Sequence, residues 1–236
     1  VRKMKCLSKL KAAGVIAVVR GSEPNEALQA CQAVVAGGMK GIEVTFTIPQ
    51  TEQVITQLVE MYQHDPGIVI GAGTVLDATT ARLAILAGAE FIVSPYFDAE
   101  TASLCGLYQI PYLPGCLTIT EMKTALQAGV DLVKLFPGSA FGPEIIKAFK
   151  APLPQLNIMP TGGVNLTNLA RWFEAGATCV GVGGNLFAAV ETGEFDKVTQ
   201  LARAYMTEFE NLTREEEQDE SVNFWRNDVA LKNRGQ

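Results

Sequence analysis

The sequence is short of the residues that metal and triad chemistry commonly use. It holds one histidine, His64, in the stretch QHDPG. That stretch reads as a helix end and turn, which places His64 on the surface. A Ser-His-Asp triad or a multi-histidine metal centre then has no imidazole to work with. The five cysteines, Cys6, Cys31, Cys105, Cys116 and Cys179, are scattered and form no CxxC pair. Buried apolar thiols are expected, rather than a disulfide framework or a zinc site. Positive charge is also in deficit: 19 Lys and Arg against 25 Asp and Glu, a net charge of −6. No nucleic-acid partner is expected of such a surface. No apolar run approaches the roughly 20 residues of a membrane span. The basic start VRKMKCLSKL is followed only by a short apolar run that ends at Arg20, so no signal peptide is expected here. A cytoplasmic protein without a membrane partner is the expectation.

What is present is a repeated alternation. Eight β-rich runs stand out: VIAVVR (15–20), GIEVTF (41–46), IVIGAGTV (68–75), FIVSPY (91–96), IPYLPG (110–115), LVKLF (132–136), NIMPTGG (157–163) and TCVGVGG (178–184). Most are continuously apolar, the pattern of parallel strands covered on both faces. Helix-like segments separate them, at 25–36, 51–62, 78–87, 99–108, 119–128, 143–150 and 166–175, with an eighth around 195–212. Ser22, Asp77, Asp98 and Asn165 stand where helix caps are needed. VAGGMKGIEV, LAGAEFIVS, QAGVDLVKL and EAGATCVGV echo one another: a helix ends on Ala-Gly and a buried strand follows.

Eight β-then-α units in 236 residues predict an α/β protein, a (β/α)₈ TIM barrel over residues 1–212. A short N-terminal helix is expected over the barrel bottom. A charged C-terminal extension, 213–236, is expected to dock or fray, with Phe224 and Trp225 as possible anchors. A doubly wound open sheet is the alternative, but no strand leads into a GxGxxG turn.

In a barrel, chemistry sits at the C-terminal strand ends. Those ends carry Arg20; Glu43, Thr45 and Thr47; Gly73 and Thr74; Ser94 and Pro95; Pro114 and Gly115; Lys134 and Phe136; 161–163; and Gly181, Gly183, Gly184 and Asn185. Lys134 is the odd residue, an ammonium inside the apolar run DLVKLF. Burying a charge is costly unless it is paired or neutralised. Desolvation favours the neutral form of an amine, which is nucleophilic and can form a Schiff base with a carbonyl substrate. Glu43 is then the natural proton shuttle. The other reading is a structural Lys134–Glu43 ion pair, and both can hold at once. Thr45 reads as a packing residue. The Gly162-Gly163 and Gly183-Gly184 pairs follow strands seven and eight, where bare amides can bind phosphate without net positive charge.

VIAVVR, GIEVTFTIP, IGAGTV, FIVSP, YLPG, VKLFPG, PTGGVN and VGVGG together resemble the KDPG aldolase family, the 2-dehydro-3-deoxy-6-phosphogluconate / 4-hydroxy-2-oxoglutarate aldolases. The resemblance runs over about residues 10–203. It implies a class I aldolase, usually a homotrimer, working without metal or other cofactor. Its substrate would be a 2-keto-3-deoxy-6-phospho sugar acid, its products pyruvate and glyceraldehyde 3-phosphate. The partners it implies are thus a 2-keto acid and a phosphorylated aldehyde. By motif, Lys134 resembles the Schiff-base lysine and Glu43 the general acid/base. Thr74, Pro95 and Phe136 resemble parts of the pyruvate pocket. Thr161, Gly162 and Gly163, with Gly183, Gly184 and Asn185, resemble the distal and phosphate-binding surface. Two positions depart from the family pattern. Thr47 stands where many members carry an arginine for the pyruvate carboxylate, and Arg20 could supply that charge. Gly184 stands where some members place a serine on phosphate. A galactonate-derived analogue or unphosphorylated 4-hydroxy-2-oxoglutarate therefore stays open as substrate. So do a phosphate-binding barrel isomerase or epimerase, and a non-catalytic sugar-acid-phosphate binder.

Overall fold

The computed structural model describes residues 2–232, and their side chains as far as Arg214. Helix α1 (Arg2–Ala13) comes first. Four units follow: β1 (Val15–Val19) and α2 (Pro24–Ala36), β2 (Gly41–Thr45) and α3 (Thr51–Met61), β3 (Val69–Gly73) and α4 (Ala78–Leu86), β4 (Ile92–Ser94) and α5 (Ala99–Tyr108). Four more complete the chain: β5 (Tyr112–Cys116) and α6 (Ile119–Gln127), β6 (Val133–Leu135) and α7 (Ile145–Lys150), β7 (Ile158–Pro160) and α8 (Leu169–Glu174), β8 (Val180–Val182) and α9 (Phe195–Lys232). The strands are parallel and lie in the order β7-β6-β5-β4-β3-β2-β1-β8. A parallel bridge between Thr161 and Gly181 joins the two remaining edges. So does the Thr178 amide, which donates to the Ile158 carbonyl at 2.9 Å. The sheet closes into the expected (β/α)₈ barrel.

The repeated Ala-Gly punctuation has one backbone cause. Gly38, Gly88, Gly129 and Gly176 have φ of 100°, 103°, 78° and 102°, a region that side chains with a Cβ rarely adopt. Each reverses the chain into the next strand. Asp77 and Asp98 cap α4 and α5, accepting from the Thr80 and Thr101 amides at 2.7 Å. Ser22 does not cap α2. The N-cap there is Glu23, with no side-chain bond, while Ser22 Oγ donates to the Glu26 carboxylate at 2.8 Å. Helix α8 starts later than expected because residues 165–168 form a side-chain-stitched turn instead. Helix α9 runs through residue 212 without a break. Phe224 and Trp225 lie outside the residues whose side chains are described.

Each strand alternates between two cores. Outward residues such as Val15, Ala17, Ile42, Val44, Val133 and Leu135 pack under the helices. Inward residues Ile16, Val69, Phe91, Val93, Leu113, Leu132, Met159 and Cys179 fill the lower barrel with Cys6, Leu10 and Ala13 of α1. The N-terminal helix is therefore the apolar plug of the barrel bottom. Gly71 is small because a Cβ there would come within 2.5 Å of the Phe91 ring. Above this layer the inward positions turn polar or empty.

Candidate active site

Ile42 and Val44 face the helices, so Glu43 between them faces the barrel axis. By the same alternation Lys134 points inward between Val133 and Leu135. β2 and β6 lie four strands apart and hence across the barrel from each other. The two long side chains meet near the axis, with Lys134 Nζ 3.4 Å from Glu43 Oε1. The glutamate side chain is 0% exposed and the lysine side chain 7%. The contact is longer than the roughly 2.8 Å of a tight charge-assisted bond. The amine is within reach of the carboxylate but not locked to it. Glu43 Oε2 is buried and has no hydrogen-bond partner among the described residues. An unmet buried acceptor costs about 1–3 kcal/mol. A buried ion pair is itself weak as a stabilising device. Two charged groups retained under these conditions fit a chemical role better than a structural one.

Space for the pair comes from glycine. A Cβ at Gly73 would overlap the Glu43 carboxylate, and one at Gly115 would overlap the Pro95 carbonyl. Phe136, two residues after Lys134 and on the same side of its strand, sets its ring centroid 5.2 Å from Nζ. Thr74, directly after β3, has φ of 53°. A β-branched residue in that region carries strain of about 1–3 kcal/mol, which is characteristic of sites held in place by their surroundings. Thr45 is fully buried and donates to the Val19 carbonyl at 2.8 Å. Its single proton thus spent, it accepts from Thr47 Oγ1 at 2.8 Å. Thr45 is a structural tie, as expected, and it anchors the exposed Thr47.

A cavity of about 480 Å³ opens against Phe136, the ring next to Lys134. The proposed substrate-binding residues Arg20, Phe136, Thr161, Gly162, Gly163, Gly183, Gly184 and Asn185 line it. Glu43 and Lys134 do not, nor do Thr47, Thr74 and Pro95, which stand past the ends of β2, β3 and β4. Among the described residues no protein acceptor takes the amides of Gly162, Gly163, Val164, Gly184 or Asn185. Thr161 Oγ1 is buried and also unpartnered. The Asn165 amide is not available, because it donates to Asn168 Oδ1 at 2.9 Å. Asn168 Nδ2 in turn donates to the Gly163 carbonyl at 2.8 Å, which stiffens the loop. Arg20 is exposed and makes no ion pair among the described residues. The cavity therefore presents bare amides and one free guanidinium, a setting for an anion.

Nothing in the sequence marks Gly73 or Gly138 for a role in the site. The Gly138 amide donates to the Thr161 carbonyl at 2.8 Å, and a Cβ at 138 would lie 2.9 Å from the Gly162 carbonyl. The loop after β6 thus seats directly on the loop after β7. The only signal in the sequence was Pro137-Gly138, which reads equally well as a plain turn. The cysteines are packing residues, as expected. All five are free and buried, and burial pushes the Cys116 and Cys179 thiols up to about 12. No group of three or more His, Cys, Asp or Glu that could hold a metal ion occurs among the described residues.

Fold and site together define a (β/α)₈ barrel enzyme with a buried lysine–carboxylate centre beside an anion-accepting cavity. A family model described as KDPG and KHG aldolase matches residues 6–201, and the chain belongs to that family. It is an aldolase, hence a carbon–carbon lyase. Over 193 residues it is 39% identical to the 2-dehydro-3-deoxy-6-phosphogalactonate aldolase of Escherichia coli K12, covering 81% of this chain and 92% of that one. It is 33% identical to a 2-dehydro-3-deoxy-phosphogluconate aldolase of Pseudomonas aeruginosa, covering 84% and 90%. Among solved structures it is similar to a KDPG aldolase from Legionella pneumophila. That enzyme was captured with pyruvate as a covalent carbinolamine intermediate. The TM-score is 0.77 at 29% identity, over 85% of this chain and 97% of that one.

Proposed function

We propose that Lys134 forms the Schiff base of a class I aldolase that cleaves 2-keto-3-deoxy-6-phosphogluconate to pyruvate and glyceraldehyde 3-phosphate. The observation that carries this reading is the buried amine 3.4 Å from a buried carboxylate with an unused oxygen. The neutral amine adds to the C2 carbonyl, giving a carbinolamine. Loss of water gives a protonated imine. The C4 hydroxyl then loses its proton and the C3–C4 bond breaks. Its electron pair moves into the imine as an enamine, and the aldehyde departs. Protonation at C3 and hydrolysis release pyruvate and restore the lysine. Glu43 is the proton carrier within reach of these steps. Phe136, Thr74 and Pro95 surround the pyruvate half. Arg20 holds its carboxylate in place of the arginine absent at Thr47. Thr161, Gly162, Gly163, Gly183, Gly184 and Asn185 take the distal half and the phosphate.

Identity to the galactonate aldolase supports a second reading, in which the substrate is the 6-phosphogalactonate-derived epimer. Cleavage rates on the two epimers decide between them. Borohydride reduction in the presence of pyruvate tests the chemistry itself. A pyruvate-derived adduct on the Lys134 peptide is expected. A folded, pyruvate-binding protein without that adduct would return the lysine to an ion-pair role.

A homotrimer and a cytoplasmic setting belong to the same reading. The helices α4 and α5 pack side by side and expose Leu83, Leu86, Leu107 and Tyr108, an apolar face suited to another copy. Light scattering at three chain masses is the expected result. Residues 213–236 would be an appendage of the barrel, separable from it in activity.

A further inference from the structure

We propose that Tyr205 of α9 is a positioning residue for the distal cavity, holding the glycine loop after β8 in the place a phosphate needs. The inference rests on the reading that this cavity takes the phosphate. Tyr205 is 0% exposed and lies outside the cavity lining. Its phenol oxygen accepts from Asn185 Nδ2, in the loop after β8, at 2.8 Å. One buried atom thus ties the loop after β8, whose Gly184 and Asn185 amides are bare, to helix α9. Burial raises the phenol pKa, so the bridge keeps one protonation state through the neutral range.

The anchor itself is rigid. Thr199 Oγ1 on α9 donates to the Ala33 carbonyl of α2 at 3.0 Å. Gly37 lies so close that a Cβ there would come 2.5 Å from Ala202 Cβ. The ring is therefore a fixed point set by the helix layer, not by the loop it ties. Amides recognise an anion by position alone, with no flexible side chain to adjust. Loss of the bridge should cost phosphate affinity and spare the imine chemistry 91 residues apart in sequence on β2 and β6.

The test is condensation of pyruvate with glyceraldehyde 3-phosphate and, in parallel, with unphosphorylated glyceraldehyde. Tyr205→Phe keeps the ring and removes the oxygen. We expect its KM for glyceraldehyde 3-phosphate to rise about fivefold to tenfold, the effect of one lost buried hydrogen bond. Its kcat, its kinetics with glyceraldehyde and its borohydride trapping of pyruvate should stay near wild type. Thr199→Val loosens α9 without touching the phenol and should lower the melting temperature while leaving the aldehyde preference in place. Equal losses on both aldehydes in Tyr205→Phe would overturn the proposal. An equal change of preference in Thr199→Val would do the same. A wild type that does not prefer the phosphorylated aldehyde would overturn the phosphate reading first, before any variant is measured.

Discussion

The lower and upper halves of the barrel interior are built from the same strands and obey opposite rules. Below, Ile16, Phe91, Leu113 and Met159 close around Leu10 of α1 in an apolar core. On β2 and β6, two residues beyond the inward positions Gly41 and Leu132, Glu43 and Lys134 face each other with glycine beside them. The lower layer is filled to remove apolar surface from water and so stabilises the fold. The upper layer holds two buried charges and an unmet carboxylate oxygen, which oppose it. Stability and chemistry are separated by a single step of the strand, about 7 Å for two residues.

The largest effect that would break this comparison is Lys134→Ala. We expect kcat to fall on the order of 10⁴-fold, through loss of the covalent path, with folding intact. Steady-state kinetics beside a thermal melt measure both. Glu43→Gln should lower kcat by about 10² to 10⁴-fold, the range of a lost general acid–base. Pyruvate should still be trapped on Lys134, more slowly. In the lower layer the pattern inverts. Phe91→Ala is expected to destabilise the chain by about 3–5 kcal/mol while activity per folded molecule is kept. Denaturant unfolding gives the first quantity and active-site titration the second. Replacing Lys134 by Met and Glu43 by Leu together should abolish turnover yet hold or raise stability, by about 1–4 kcal/mol. A clear loss of stability in that double variant would mean that the pair supports the fold after all. Arg20→Ala is the mildest change. The KM for pyruvate should rise about tenfold, as for one charge-assisted hydrogen bond, and unchanged kinetics would remove Arg20 from the site.

The comparison also explains which parts of the site could be read in advance. Lys134 was legible because an ammonium in an apolar strand conflicts with burial at the level of a few residues. The glycine pairs after β7 and β8 were legible from their place at strand ends. Gly73 was not, since its reason is the carboxylate of a residue on the neighbouring strand. Gly138 was not either, because only the closed barrel sets the loop after β6 on the loop after β7. Tyr205 was not either, because its hydroxyl meets Asn185 of the loop after β8 only in the folded barrel.

The sequence by itself determined the alternation of eight buried strands and their helices, the glycine turns between them and the chemical types at the strand ends. These are local properties, carried by hydrophobic run length, by backbone conformations open to glycine and by caps within a turn of the helix. Only the tertiary structure decided that Glu43 meets Lys134 and not the Thr47 side of the mouth. It also decided that Thr161 and Gly181 form the closing seam, and that Arg20, Phe136, Thr161 and both glycine pairs share one cavity whose lining leaves out Glu43, Lys134, Thr47, Thr74 and Pro95. The physical reason is closure. Strands four apart in order become neighbours across the axis only when the sheet curls shut. The distances that chemistry needs are set by that curl rather than by any spacing along the chain.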